Sequence, residues 1–238
     1  MKTTLKHLWL MIKTLNEENK KSKNYLNESH FNALGPLLNK VLNIVREVKA
    51  QTQKSLTGGK KNFDMDEEDL EKVKEEIAKI CQASTYVMEI SGQLVLNFGE
   101  VVAPMVKSNF LNYFALNLNS YKQLSESELL DATCFFCDFI EYSYHSTPEA
   151  TAMATELLSK FIEIFNSSEE IATIDAKQTL SYGMGVFSSY IPGASFAGLS
   201  SQILAALNSM ISDAEAYSEE SVVATESAIG ALGKVIYF

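Results

Sequence analysis

Cys134 and Cys137 stand in a C-x-x-C spacing, a pattern that serves zinc binding or thiol–disulfide exchange depending on its surroundings. A zinc site takes about four ligands, and the other candidates, Cys81, His7, His30 and His145, are scattered along the chain. Thioredoxin-like exchange needs a βαβ setting, which the flanking residues do not offer. On a helix both thiols share a face beside Phe135 and Phe136, and the pair reads as core packing. The stretch "TGGKK" at 57–61 lacks the first glycine, the Ser/Thr after the lysine and the preceding strand of a phosphate loop. "GASFAG" at 193–198 has the wrong residue order for a nucleophile elbow. His145, near Ser143 and Ser146, reads as a helix-cap cluster rather than a catalytic one. No catalytic, metal or cofactor constellation emerges.

One charged feature stands out. Asp64, Asp66, Glu67, Glu68, Asp69 and Glu71 crowd the start of a long helix, where the helix dipole favours carboxylates. They form either a solvated helix start or an acidic surface that contacts a basic protein.

The elements around these residues are helical. Only 11 Gly and 4 Pro in 238 residues disfavour a loop-rich or all-β chain, and Leu, Ala, Glu, Lys and Met fill the long segments. The formal charge of −10 argues against nucleic acid or anionic lipid as a direct partner. Three cysteines make no disulfide framework, which points to a reducing compartment. The apolar run Leu8 to Ile12 is too short for a signal sequence, and nowhere do 18 apolar residues run together. The chain reads as soluble and intracellular.

Apolar residues at three-to-four spacing predict helices over 3–15, 29–54, 64–98, 101–118, 125–144, 148–165, 169–191, 195–213 and 218–238. Ser125 with Glu128 makes a capping box, Thr147 and Pro148 are N-cap and N1, and Gly99 ends the longest helix. Grouped in pairs, these give units at about 3–54, 64–118, 125–166, 169–213 and an incomplete 218–238, with a linker at 55–63.

The later helices repeat. Shifting by 48 residues places Gly233 on Gly185 and Cys137, Val235 on Phe187 and Phe139, and Ala224 on Ala176. The recurring face carries a small residue with an apolar one two positions on. The spacing is slightly above the roughly 40–47 residues of HEAT-type repeats. It predicts an all-α fold, an α-solenoid of stacked antiparallel helix pairs, over the alternative of a plain helical bundle. Because an array closes on a polar cap and this chain stops on an amphipathic helix, a piece of a longer array is expected. The repeat makes Gly185 a packing position, so a leucine there should disrupt stacking. Gly183 aligns with Ala231 and Phe135, and an alanine there is expected to be mild or stabilising.

"AKQTLSYGMGVFSSYI" (176–191) followed by "SEESVVATESAIGALGKVIYF" (218–238) resembles the C-terminal HEAT repeats of the importin-β family, of the karyopherin-β3 type. "CFFCDFIEY" (134–142) is similar to the preceding repeat, where the family also carries an acidic residue at Asp138. "DMDEEDLEKVKEE" before a very long helix looks like the same receptor. The resemblance implies a non-enzymatic scaffold that shuttles between cytoplasm and nucleus. It implies binding of basic cargo bearing nuclear-localisation signals and of phenylalanine–glycine nucleoporins, and Ran GTPase binding through an N-terminal part that this chain lacks. A HEAT-type scaffold or regulatory subunit of another intracellular assembly is the alternative.

Overall fold

A computed structural model of the protein describes residues 2–19, 26–57, 67–145 and 147–237. Ten α-helices and two single 3-10 turns account for nearly all of them, with no strand among the described residues. The chain divides into two compact units. Unit 1 comprises Met1–Leu94 and Pro104–Tyr113; unit 2 comprises Val95–Ala103 and Phe114–Phe238.

Unit 1 is built from α1 (Lys2–Asn19), α2 (Glu28–Thr57), most of α3 (Glu67–Phe98) and α4 (Ala103–Asn109). Buried residues recur along each helix: Leu5 and Ile12 on α1, Leu38, Leu42 and Val45 on α2, and Val87, Ile90 and Leu94 on α3. Ser84 and Ser91 lie in the same stripe, fully buried, because each hydroxyl donates to a carbonyl of its own helix, Cys81 O at 2.7 Å and Met88 O at 2.7 Å. Gly35 lets α2 approach α4, where a Cβ would stand 2.7 Å from the side chains of Met105 and Asn109. Helix α2 continues to Thr57, so the first part of the expected linker is helical; the rest, 58–63, lies outside the described residues. The single helix expected over 101–118 is two, α4 and α5 (Leu111–Asn119), separated at Phe110. Phe110 is wholly buried, and the chain bends there through a Tyr113 N–H bond to Phe110 O.

Unit 2 holds most of α5, with α6 (Glu126–Tyr142), α7 (Pro148–Phe165), α8 (Ile174–Ser188), α9 (Gly193–Ile211) and α10 (Val222–Tyr237). Three of these helices start on a side-chain cap. Ser125 accepts from the Glu128 N–H, while Glu128 Oε2 accepts from the Ser125 N–H at 2.9 Å, closing the capping box. Thr147 caps α7 with Pro148 at N1, and Thr173 caps α8 by accepting from the Ala176 N–H at 3.1 Å. Helix α8 is the centre of this unit and packs against α6, α7, α9 and α10.

The 48-residue register is visible in burial. Glu128, Ala176 and Ala224 are all buried; so are Ala132, Leu180 and Ala228; so are Phe135, Gly183 and Ala231; and so are Phe139, Phe187 and Val235. A column of rings fills the α5–α6 side, with Phe114 stacked on Phe135 at 4.3 Å and Phe139 on Tyr144 at 5.1 Å. Unit 2 is therefore all-α and layered helix on helix, as the repeated face requires.

Glycines separate the layers. A Cβ on Gly185 would stand 2.9 Å from the Ala231 Cα and 3.1 Å from its Cβ, so α8 and α10 are in backbone contact there. Gly183 corrects the expectation drawn for it. A Cβ there would enter the ring of Phe161 and lie 2.9 Å from Cys137 Sγ. Phe161 is wholly buried and cannot swing away, so alanine at Gly183 is not mild. Gly233 holds the same register as Gly185, yet a Cβ on it meets nothing within 4 Å.

Candidate functional site

Sequence reasoning placed the acidic surface at 64–71. Asp64 and Asp66 lie outside the described residues. Glu67, Glu68 and Asp69 open α3, and Glu71 is exposed one turn on, in unit 1. Among these carboxylates the described geometry builds no site.

A more structured group of charges sits in unit 2, on the surface where α6, α8 and α10 lie side by side. Asp138 and Glu141 are one turn apart on α6, both half-buried, followed by Tyr142, which is 37% exposed. From α8, the Tyr182 phenol donates to Glu141 Oε2, and from the turn after it the Tyr190 phenol donates to the Glu141 backbone oxygen at 3.4 Å. His145 stacks on Tyr190 at 4.8 Å, with its Nδ1 3.0 Å from the Ile140 carbonyl. From α10, the Lys234 ammonium lies 5.1 Å from the centre of the Tyr182 ring. Three successive layers thus contribute to one acidic and aromatic patch.

Its electrostatics follow from partial burial. Burial pushes the Asp138 carboxyl up to about 6, and the neighbouring Glu141 carboxylate pushes in the same direction. The phenols of Tyr182, Tyr142 and Tyr190 are raised as well, by burial first and then by Glu141. All three remain neutral hydrogen-bond donors near neutral pH. A cation placed here meets two carboxylates and the negative faces of tyrosine rings; Lys234 already lies over the face of Tyr182.

The C-x-x-C pair is chemically quiet. Burial raises the Cys134 thiol to about 12, with Asp138 and Asp131 adding to the effect, and Cys137 is raised well above its ordinary value by burial. Cys137 is 2% exposed and its sulfur faces Gly183, as core packing demands. No group of three or more His, Cys, Asp or Glu able to hold a metal ion occurs among the described residues. No helix among them is long and apolar enough to cross a membrane.

A concave feature lies near the start of α8, away from the patch. A cavity of about 260 Å³ opens between α7, α8, α9 and the start of α10, walled by Phe165, Ile174, Met210 and Ala216 with Lys177 and Asp213 at its edge. The Lys177 ammonium lies 5.7 Å from the Phe165 ring.

In the sequence Asp138 stood out only as the acidic residue of "CFFCDFIEY", and Glu141 and Tyr182 did not stand out at all. Their partnership spans 41 residues, and its sequence signal is the carboxylate three residues after Asp138 together with a tyrosine on the next layer. The residues named for repeat packing, Cys137, Gly185, Phe139, Phe187 and Val235, are all buried, and Gly233 is exposed. Fold and patch together define a class, an all-α stack of helices carrying an acidic and aromatic surface patch. No family model matches the sequence.

Proposed function

We propose that this chain is a non-catalytic binding scaffold of the importin-β type, holding a basic protein segment during nuclear import. The observation that carries the reading is the Asp138–Glu141 pair framed by Tyr142 and Tyr182 across stacked layers. Lysine and arginine side chains are recognised by carboxylates together with tyrosine faces, and an acidic chain attracts a basic partner at long range. The resemblance of 176–191 and 218–238 to karyopherin-β3 repeats supplies the nuclear-transport context. In the same reading, the cavity walled by Phe165 and Met210 accepts the aromatic side chain of a phenylalanine–glycine nucleoporin, since ring and thioether both favour aromatic contact. Ran engages an N-terminal part outside this chain, and the receptor shuttles between cytoplasm and nucleus.

Titration with a lysine-rich nuclear-localisation peptide tests the reading. Binding should be saturable, weaken with added salt, and fall about tenfold or more in the Asp138→Asn/Glu141→Gln double variant. It should also weaken as pH falls from about 7.5 to 5, because a cation stabilises the ionised form of Asp138, which titrates near 6. A phenylalanine–glycine peptide should lose affinity when Ile174 is replaced by Asp. Binding of both peptides unaffected by these substitutions would sink the proposal. Retention of neither peptide would favour a scaffold subunit of another assembly.

A further inference from the structure

The acidic and aromatic patch already holds a cation of the chain itself, Lys234. A lysine in the last turn of α10 complements the helix dipole, which explains its residue type but not its direction. The stem runs from α10 across α8, where a Cβ on Gly185 would stand 3.3 Å from Lys234 Cδ. The ammonium reaches the Tyr182 ring, 5.1 Å from its centre. The phenol of that ring donates to Glu141 Oε2, so the hydroxyl meets a carboxylate while the face meets the ammonium. Donation to an anion polarises the ring and strengthens the hold of its face on a cation. Asp138, Val186 and Lys234 hold one position of the 48-residue register in three successive layers. Helices α6 and α10 both pack on α8, and Tyr182 touches each of them, through Glu141 and through Lys234. Tyr182 is 40% exposed and Lys234 only half-buried, so the lysine can leave the ring without opening the core.

We infer that Lys234 is an internal competitor for the patch: it holds the Tyr182 face in the free chain, and a lysine or arginine of a basic partner takes that face by displacing it. The inference rests on the proposed reading of the patch as a surface for a basic segment, and adds its regulation. A single lysine of the partner exchanges one cation–ring contact for another and gains little. A segment with adjacent cations gains a carboxylate contact as well, at Asp138 or Glu141. Lys234 thus lowers affinity for every basic segment and favours clustered charge over isolated charge.

The test measures binding of the lysine-rich nuclear-localisation peptide to the intact chain and its variants by fluorescence anisotropy. Lys234→Met keeps the stem and removes the charge. It should bind roughly three- to fivefold more tightly than the unaltered chain, the size of an exposed cation–ring contact. Lys234→Arg keeps a cation over the ring and should bind as the unaltered chain does. Lys122→Met removes the same charge from the surface before the opposite end of α6, and its affinity should stay within a factor of about two. In a Tyr182→Leu background the gain from Lys234→Met should vanish, because no ring face is left to compete for. No gain in Lys234→Met, an equal gain in Lys122→Met, or a gain that survives Tyr182→Leu would overturn the inference. The import reading would still stand if Asp138→Asn/Glu141→Gln weakened binding by the unaltered chain. Binding by Lys234→Met alone would keep the inference and overturn the reading of the unaltered chain as a carrier. Binding by none of these proteins would overturn both.

Discussion

A methyl group on Gly183 would enter the Phe161 ring, whereas the same group on Gly233 would meet only solvent. The helix propensity gained by Gly→Ala is the same at both sites, up to about 1 kcal/mol. At Gly183 it is outweighed by overpacking against a buried ring and Cys137 Sγ, so Gly183→Ala should cost a net ~1–2 kcal/mol in urea unfolding. Gly233→Ala should stabilise by up to about 1 kcal/mol, and the opposite order of the two variants would refute the packing described for α8. Asp138 offers a second residue-level test. Its carboxyl ordinarily titrates at 3.8 and here near 6, so between those values the folded chain holds a proton that the unfolded chain has released. Stability therefore falls as pH rises through that window, by at most about 3 kcal/mol. Asp138→Asn should raise the melting temperature at about pH 7.5 and change little at about pH 4. A variant equally stabilising at both values would mean that the charge is not the cause.

Helix starts were legible because capping is local chemistry. Ser125 and Thr147 each accept a bond from an N–H three residues on, a relation that needs no knowledge of the rest of the chain; Thr173 does the same for α8, although that helix was expected from 169. Ser125→Ala should remove the hydroxyl that accepts from the Glu128 N–H and donates to Glu128 Oε2, while the residue-125 N–H still bonds that carboxylate, and cost ~1 kcal/mol. Calorimetry at neutral pH would check this, and no loss of stability would show that the Glu128 carboxylate is satisfied elsewhere. The stripes of α2 and α3 were equally plain, since three-to-four spacing is set by helix geometry alone. What the sequence hid depends on distant partners. Phe110 reads as one more apolar residue of a continuous helix, whereas the chain turns there between α4 and α5. Gly183 was misjudged for the same reason: its register mates, Phe135 and Ala231, say nothing about Phe161 on α7, which fills the space above it. The site was legible least of all. Runs of like residues catch the eye at 64–71, while Glu141 meets Tyr182 through a contact between layers that no local pattern announces.

Within unit 2, stability is carried by neighbouring layers, since α8 packs on both α6 and α10 while α10 packs on α8 and α9. In such an array the loss of one interface is felt first by the outer element that depends on it. Gly185→Leu puts a four-carbon side chain where the Ala231 backbone already stands, so α10 must withdraw from α8. The face of α8 toward α6 and α7 is unchanged by that substitution, with Gly183 still against Cys137 and Phe161, and Tyr182 still bonded to Glu141. Hydrogen exchange on the intact chain resolves the two outcomes, because it reads opening helix by helix. Amides of α10 should exchange much faster in Gly185→Leu, by roughly two orders of magnitude for ~3 kcal/mol of local destabilisation. Those of α6 and α7 should keep most of their protection. Uniform acceleration across unit 2 would instead show that the layers melt as one, and that α10 is part of a single core rather than the outermost layer of a stack.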